Sequence, residues 1–224
     1  MHAKVSPRGG RFFAYDRRSP VCAGADETEE HRSLKRALAA AARQAGHRAQ
    51  LEVTACHGGW RADVLVTAAG NRRTALEAQL SSAPVDDVVA RTRRYRDDGI
   101  AAVLFTHRAA RWLAHVPAAR LYRPAAPGGL WKPTYPLVSR LTVVACGEVC
   151  DPSPFWHSPV HAGWDHKEKR LLTEFVADVL VGRLVPITFT TALGTRYEGW
   201  AAPEDVKAAD QYATSTRTAP PTPA

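Results

Sequence analysis

The feature that most limits how this chain can fold is a short hairpin. Residues 60–67 and 74–80 are two runs of strand-forming residues joined by a polar turn, 68–73, whose Gly70 and Asn71 have the chemistry of a chain reversal. If the turn is centred on Gly70, residues equidistant from it face each other across the ladder. That register opposes Asp63 to Glu77, with Cβ atoms roughly 4.5–5.5 Å apart. Like charges placed so are destabilising unless a cation sits between them. Gln79 shares the face of Glu77, because side chains two apart on a strand point the same way. Two carboxylates and an amide on one patch outline a divalent-metal site. The competing reading is an acidic patch on a wet sheet face, neutralised by Arg61, which the same register sets opposite Gln79. A slip of one residue would turn Glu77 to the other side of the sheet.

At 224 residues the chain can bury one sizeable core, or one core and a smaller appendage. Its hydrophobic fraction of 45% and charged fraction of 23% are those of a soluble globular protein. The net charge of +8, carried largely by arginine, favours a polyanionic partner such as nucleic acid. No run approaches the ~18 consecutive apolar residues of a membrane span, and the first ten residues lack the apolar core of a secretory signal. The expected setting is therefore cytoplasmic, without a membrane partner. There Cys22, Cys56, Cys146 and Cys150 stay reduced.

Residues 1–26 read as a basic, extended N-terminal arm broken by Pro and Gly, with at most an edge strand at the apolar patch 12–15. A helix follows, with Thr28 as its N-cap, acidic residues 27, 29 and 30 at the positive end of its dipole, and Gly46 as its stop. Leu34, Leu38, Ala41, Ala42 and Ala45 form its apolar stripe, with His31 and Lys35 one turn apart beside it. Residues 51–55 read as a strand and precede the hairpin. Pro84 opens a second helix that Gly99 ends, and 100–106 is a continuous apolar run suited to a sheet interior. The order helix, three strands, helix, strand predicts an α/β fold, a mixed sheet flanked by helices. Beyond a Pro/Gly loop at 123–136, a strand near 141–146, a helix near 167–182 and a strand near 184–191 predict a C-terminal α/β extension over 123–203. Residues 204–224 have the composition of a disordered tail.

Several segments together resemble the CoiA-like competence proteins. They are Glu30-His31-x-x-Leu34-Lys35, Trp60-Arg61-Ala62-Asp63-Val64, Leu76-Glu77-Ala78-Gln79-Leu80-Ser81, Arg91-Thr92-x-x-Tyr95 and Val103-Leu104-Phe105-Thr106. The resemblance covers roughly residues 12–122. It implies a nuclease-like domain over 27–122, with the restriction-endonuclease-like core of the PD-(D/E)XK superfamily. It further implies that Asp63 and Glu77 hold Mg²⁺ or Mn²⁺, with the backbone carbonyl of Ala78 as a further ligand and Glu30 or His31 completing the set.

The superfamily's usual lysine is replaced by Gln79, as the E-x-Q pattern of the CoiA-like branch implies. Glutamine is neither a cation nor a base at neutral pH, so Lys35 or Arg61 is the expected source of positive charge. The expected chemistry is metal-dependent cleavage of DNA, single-stranded or branched, in recombination or uptake. Asp63 and Glu77 would be ligands, Gln79 would orient water and Lys35 would stabilise the transition state. The alternative is a non-catalytic nucleic-acid-binding protein that keeps the nuclease fold and assists a recombinase.

Arg91, Arg93, Arg94 and Tyr95, with Arg61 on the neighbouring strand, are the candidate DNA contacts; a solvated helix face is the other reading of that cluster. Cys146, Cys150, His157 and His161 have local spacings that suit structural zinc, although the loop is short and Cys146 ends an apolar strand, where a buried thiol is commoner. Cys56-His57 resembles a nucleophile pair without a visible orienting group.

Overall fold

The computed structural model describes residues 2–5, 11–14, 27–122, 137–145, 160–164, 170–190 and 196–207. The N-terminal arm contributes a two-stranded antiparallel ribbon, β1 (His2–Val5) and β2 (Arg11–Ala14). Thr28 starts the first helix, α1 (Glu29–Gln44), by accepting the His31 N–H at 3.2 Å. Gly46 follows its end with φ 83°, a conformation that costs glycine little. The stripe expected on α1 is its buried face, with Leu34, Leu38, Ala41 and Ala42 sealed against the sheet.

Three antiparallel strands follow: β3 (Arg48–Thr54), β4 (Arg61–Thr67) and β5 (Arg73–Ala78). The β4–β5 turn places Gly70 and Asn71 in the left-handed region, φ 70° and 60°. Its ladder, Thr67↔Arg73 through Val64↔Leu76, has the register centred on Gly70 that the sequence predicts. Next come α2 (Val85–Asp97) and β6 (Ile100–Thr106), the latter parallel to β5 and buried in the sheet interior. The helix–strand–strand–strand–helix–strand order is thus realised as a mixed sheet flanked by helices, in the α/β class.

The second half of the chain extends this sheet. β7 (Ala118–Leu121) lies parallel to β6, and β8 (Leu137–Ala145) antiparallel to β7. β9 (Val160–Trp164) and β10 (Arg170–Leu171) both pair with β8. After α3 (Leu172–Val181), β11 (Val185–Thr190) and β12 (Arg196–Ala201) complete the order β11-β12-β8-β7-β6-β5-β4-β3. α3 begins later than the helix expected from residue 167, because Arg170 and Leu171 are taken up in pairing with β8.

The C-terminal α/β extension shares a core with the first half. α1 and α3 cover one face, where Phe175 packs edge-on to both Phe105 and Trp200, each pair of ring centroids 5.9 Å apart. The Trp200 indole N–H donates to the Ala118 carbonyl at 3.1 Å. α2 covers the other face over Leu65, Ala75, Leu104 and Trp112. Residues 203–207 are helical, so regular structure passes the expected tail boundary at 204, and 208–224 lie outside the described residues. Among the described residues no helix is long and apolar enough to cross a membrane.

Candidate active site at a split between two strands

The β4–β5 ladder ends at Val64↔Leu76, and the next two residues, Asp63 and Glu77, fill the gap with their side chains. Glu77 Oε1 accepts the Asp63 N–H at 3.2 Å, while Asp63 Oδ2 accepts the Ala78 N–H at 2.8 Å. Each acid thereby satisfies a main-chain donor at the place where the strands part, which is how a buried polar backbone avoids an orphan N–H. The two acids expected to face each other are brought together here.

Their surroundings differ. Glu77 is 3% exposed. The Tyr95 hydroxyl lies 2.9 Å from both Glu77 Oε1 and the Arg61 carbonyl, and its single proton serves one of them at a time. Burial, and then the neighbouring Asp63 charge, push the Glu77 carboxyl up to about 7, against the opposing pull of Arg91 and Tyr95. Asp63 is more open, its side chain 20% exposed. Its Oδ2 is 3.3 Å from His31 Nε2, and His31 Nδ1 is in turn 3.9 Å from Glu27 Oε1. The other helix candidate, Glu30, faces elsewhere: its Oε1 is 3.7 Å from His107 Nδ1.

Gln79 is buried, and both ends of its amide are held. Nε2 donates to the Ser81 carbonyl at 2.9 Å and to Ser81 Oγ at 3.1 Å, and Oε1 accepts from Arg91 Nη2 at 2.5 Å. Arg91 Nε stands 4.0 Å from Glu77 Oε2, buried and without a hydrogen-bond partner. The cation beside the acids is therefore Arg91, from α2.

This corrects two expectations. Lys35 is buried and ion-paired with Glu52 and Glu27, so its charge is already neutralised by two carboxylates. Arg61 pairs with the same Glu52. Glu52 reaches both cations from a left-handed backbone conformation, φ 57°, at a point where β3 skips a pairing with β4. Sequence pattern carries no signal for that conformation, and Glu52 was not among the expected residues. Tyr95, expected to touch DNA, is 1% exposed; its ring packs against Trp60 with centroids 5.3 Å apart, and it supports Glu77 from within.

The remaining basic residues of α2 turn outward. Arg94 Nη1 is 3.5 Å from the Gly59 carbonyl, and Arg93 lines a small recess with Arg96, Arg196 and Glu198. Cys56 is an exposed free thiol. Beside it, His57 Nδ1 accepts the Gly59 N–H at 3.0 Å and Nε2 pairs with Asp98 Oδ2 at 2.8 Å, so neither ring nitrogen is left to activate a thiol. The expected zinc set lies outside the described residues, save the backbone of His161 opposite Val144.

Among the described residues, no group of three or more His, Cys, Asp and Glu side chains is arranged to hold a metal ion. The donors at the strand split are nonetheless carboxylate oxygens, the type Mg²⁺ takes. Asp63 Oδ1 makes no hydrogen bond among the described residues, and Glu77 Oε2 has Arg91 as its charged neighbour. A buried acid held partly protonated beside a second acid is an arrangement that a divalent cation would relieve. On those grounds the residues present fit the ion.

Residues 27–108 match the family model described as competence protein CoiA, nuclease-like domain. The matched segment contains Asp63, Glu77, Gln79, Arg91 and Tyr95. No curated protein and no solved structure matches the chain.

Proposed function

We propose, taking residues 27–108 as a member of the CoiA nuclease-like family, that the protein is a metal-dependent nuclease that cleaves DNA phosphodiesters in recombination or uptake. The observation that carries the reading is the Asp63–Glu77 pair at the strand split, with Arg91 as its cation. Asp63, Glu77 and the Ala78 carbonyl would hold Mg²⁺ or Mn²⁺. Such an ion supplies Lewis-acid polarisation of a phosphoryl oxygen and a more acidic bound water.

The chain's own residues do the rest. Gln79 Oε1 keeps a second lone pair beyond the one that Arg91 occupies, and that lone pair accepts a proton of the attacking water and orients it. Arg91 supplies the positive charge that a lysine at position 79 would carry, and stabilises charge developing on the phosphoryl oxygens. Ser81 fixes the Gln79 amide so that both contacts persist. His31 holds Asp63 Oδ2 on its open side.

A second reading, a non-catalytic nucleic-acid-binding protein that assists a recombinase, is favoured by two observations. Gln79 stands in the lysine's place, and Glu77 is buried and bonded to Tyr95 and the Asp63 backbone. The test is Mg²⁺- and Mn²⁺-dependent nicking of single-stranded, duplex and branched DNA by wild type and by Asp63→Ala. Cleavage lost in the variant supports the nuclease. Tight DNA binding without cleavage in both proteins supports the second reading.

A further inference from the structure

The carboxyl ends of the parallel strands β5 and β6 open into a cavity of about 550 Å³, lined by Ser81, Ser82, Thr106, Arg108, Arg111 and Trp112. In α/β sheets this end is where ligands are presented. The cavity adjoins the acid pair through one residue: Ser81, on its rim, is the residue that holds the Gln79 amide.

Its chemistry is that of an anion site. Arg108 and Arg111 are exposed, and neither has a carboxylate partner among the described residues. By contrast Arg32, Arg36, Arg61 and Arg183 are all ion-paired. α2, 13 residues long, starts at the rim with Pro84 as its N-cap, and no side chain caps its first-turn N–H groups. Those donors and the helix dipole favour negative charge at that end. Asp86 and Asp87 belong to the same turn but do not line the cavity, so its lining holds two guanidinium groups and three hydroxyls with no carboxylate. Thr106 Oγ1 accepts the Arg108 N–H at 3.2 Å and so shapes the loop that carries both arginines. Trp112, with Pro84 and Val85, gives the cavity an apolar wall, which suits a sugar or base better than it suits a bare inorganic anion.

We propose that this cavity is a nucleotide subsite that holds a phosphodiester of the substrate strand next to the one presented to Asp63 and Glu77. Arg108 and Arg111 grip the phosphate by its oxygens, the Ser81 and Ser82 hydroxyls donate to it, and the apolar wall receives the attached nucleoside. The subsite rests on the acid pair being the cleavage site, and it would fix the register of the strand relative to that pair.

The test is fluorescence anisotropy with a labelled single-stranded DNA oligonucleotide, in EDTA, over a series of salt concentrations. The proteins are wild type, Arg108→Ala/Arg111→Ala, Ser82→Glu, and the control Arg36→Ala/Arg48→Ala, which removes the same formal charge elsewhere. Loss of the phosphate held by the two arginines should weaken binding about tenfold or more and flatten the log–log salt slope by roughly 0.7. Ser82→Glu, at an exposed position, should weaken binding without disturbing the fold. The control should bind nearly as wild type does. Unchanged affinity and slope in the arginine double variant, or equal losses in that variant and the control, overturns the subsite. If the anisotropy result holds while Asp63→Ala cleaves as well as wild type, the subsite stands as a strand-binding site and the assignment of the acid pair falls.

Discussion

Asp63 and Glu77 trade places with the backbone where β4 and β5 separate: the Glu77 carboxylate takes the N–H of Asp63, and the Asp63 carboxylate takes the N–H of the residue after Glu77. Paired acids with a single cation nearby are a poor way to stabilise a sheet, since the desolvation of Glu77 opposes folding. Neutralising that acid while keeping its shape should therefore leave stability unharmed. Glu77→Gln is expected to match or exceed wild-type stability by about 1–2 kcal/mol at pH 8, by urea unfolding without metal, and to lose cleavage. A loss of stability in Glu77→Gln would mean that the carboxylate is structural.

The pH dependence follows from the same group. The folded protein binds the Glu77 proton more tightly than the unfolded chain does, with the carboxyl raised from 4.5 to about 7. Its contribution to stability is therefore fully present below about pH 4.5 and is lost as pH rises through about 7. The loss is on the order of 3 kcal/mol. Asp98, whose carboxyl is lowered by its hydrogen bond to His57, acts in the opposite direction. The informative quantity is thus the stability of wild type minus that of Glu77→Gln, which should fall between those two pH values. Parallel pH curves for the two proteins would contradict the shift. Mg²⁺ affinity should rise over the same interval, because the ion competes with that proton.

Arg91 should matter to the chemical step more than to binding. Arg91→Met is expected to lower kcat by about 100-fold or more with a smaller change in KM. Arg91→Lys, which keeps the charge but not the planar guanidinium that bonds Gln79 through Nη2 while its Nε stands beside Glu77, should recover part of the loss. Because Arg91 holds down the Glu77 pKa, the acidic limb of the pH–rate profile should move to higher pH in Arg91→Met. An unmoved profile with a purely KM effect would assign Arg91 to strand binding.

Trp200 ties the C-terminal strands to the nuclease-like core. It is 1% exposed, packs on Phe175 and bonds to Ala118. Trp200→Ala should cost about 3–5 kcal/mol and lower the urea midpoint in a single transition. Two separate transitions would show that residues beyond 123 fold independently.

The hairpin register was legible because the turn demanded left-handed residues at Gly70 and Asn71, and a fixed centre fixes the facing pairs from Thr67↔Arg73 to Val64↔Leu76, which brings Asp63 and Glu77 together just beyond them. α1 was legible from its stripe and its Thr28 cap. The place of Arg91 was half legible. It lies four residues before Tyr95, so helical spacing sets both on one face, and an aromatic residue on that face points inward with its neighbour. The ion pairs of Lys35 were not legible, because its partners, Glu27 and Glu52, come from separate elements and Glu52 depends on an unusual φ. The docking of β8 and β12 was not readable, since pairing of strands so far apart in the chain leaves no local periodicity.

The most direct measurement is Mn²⁺ binding to wild type and Asp63→Ala, followed by electron paramagnetic resonance with and without single-stranded DNA. The expected result is about one Mn²⁺ bound per wild-type protein, tighter with DNA, and loss of that ion in Asp63→Ala. Equal retention by the two proteins, or none by wild type even with DNA, contradicts the acid pair as a metal centre.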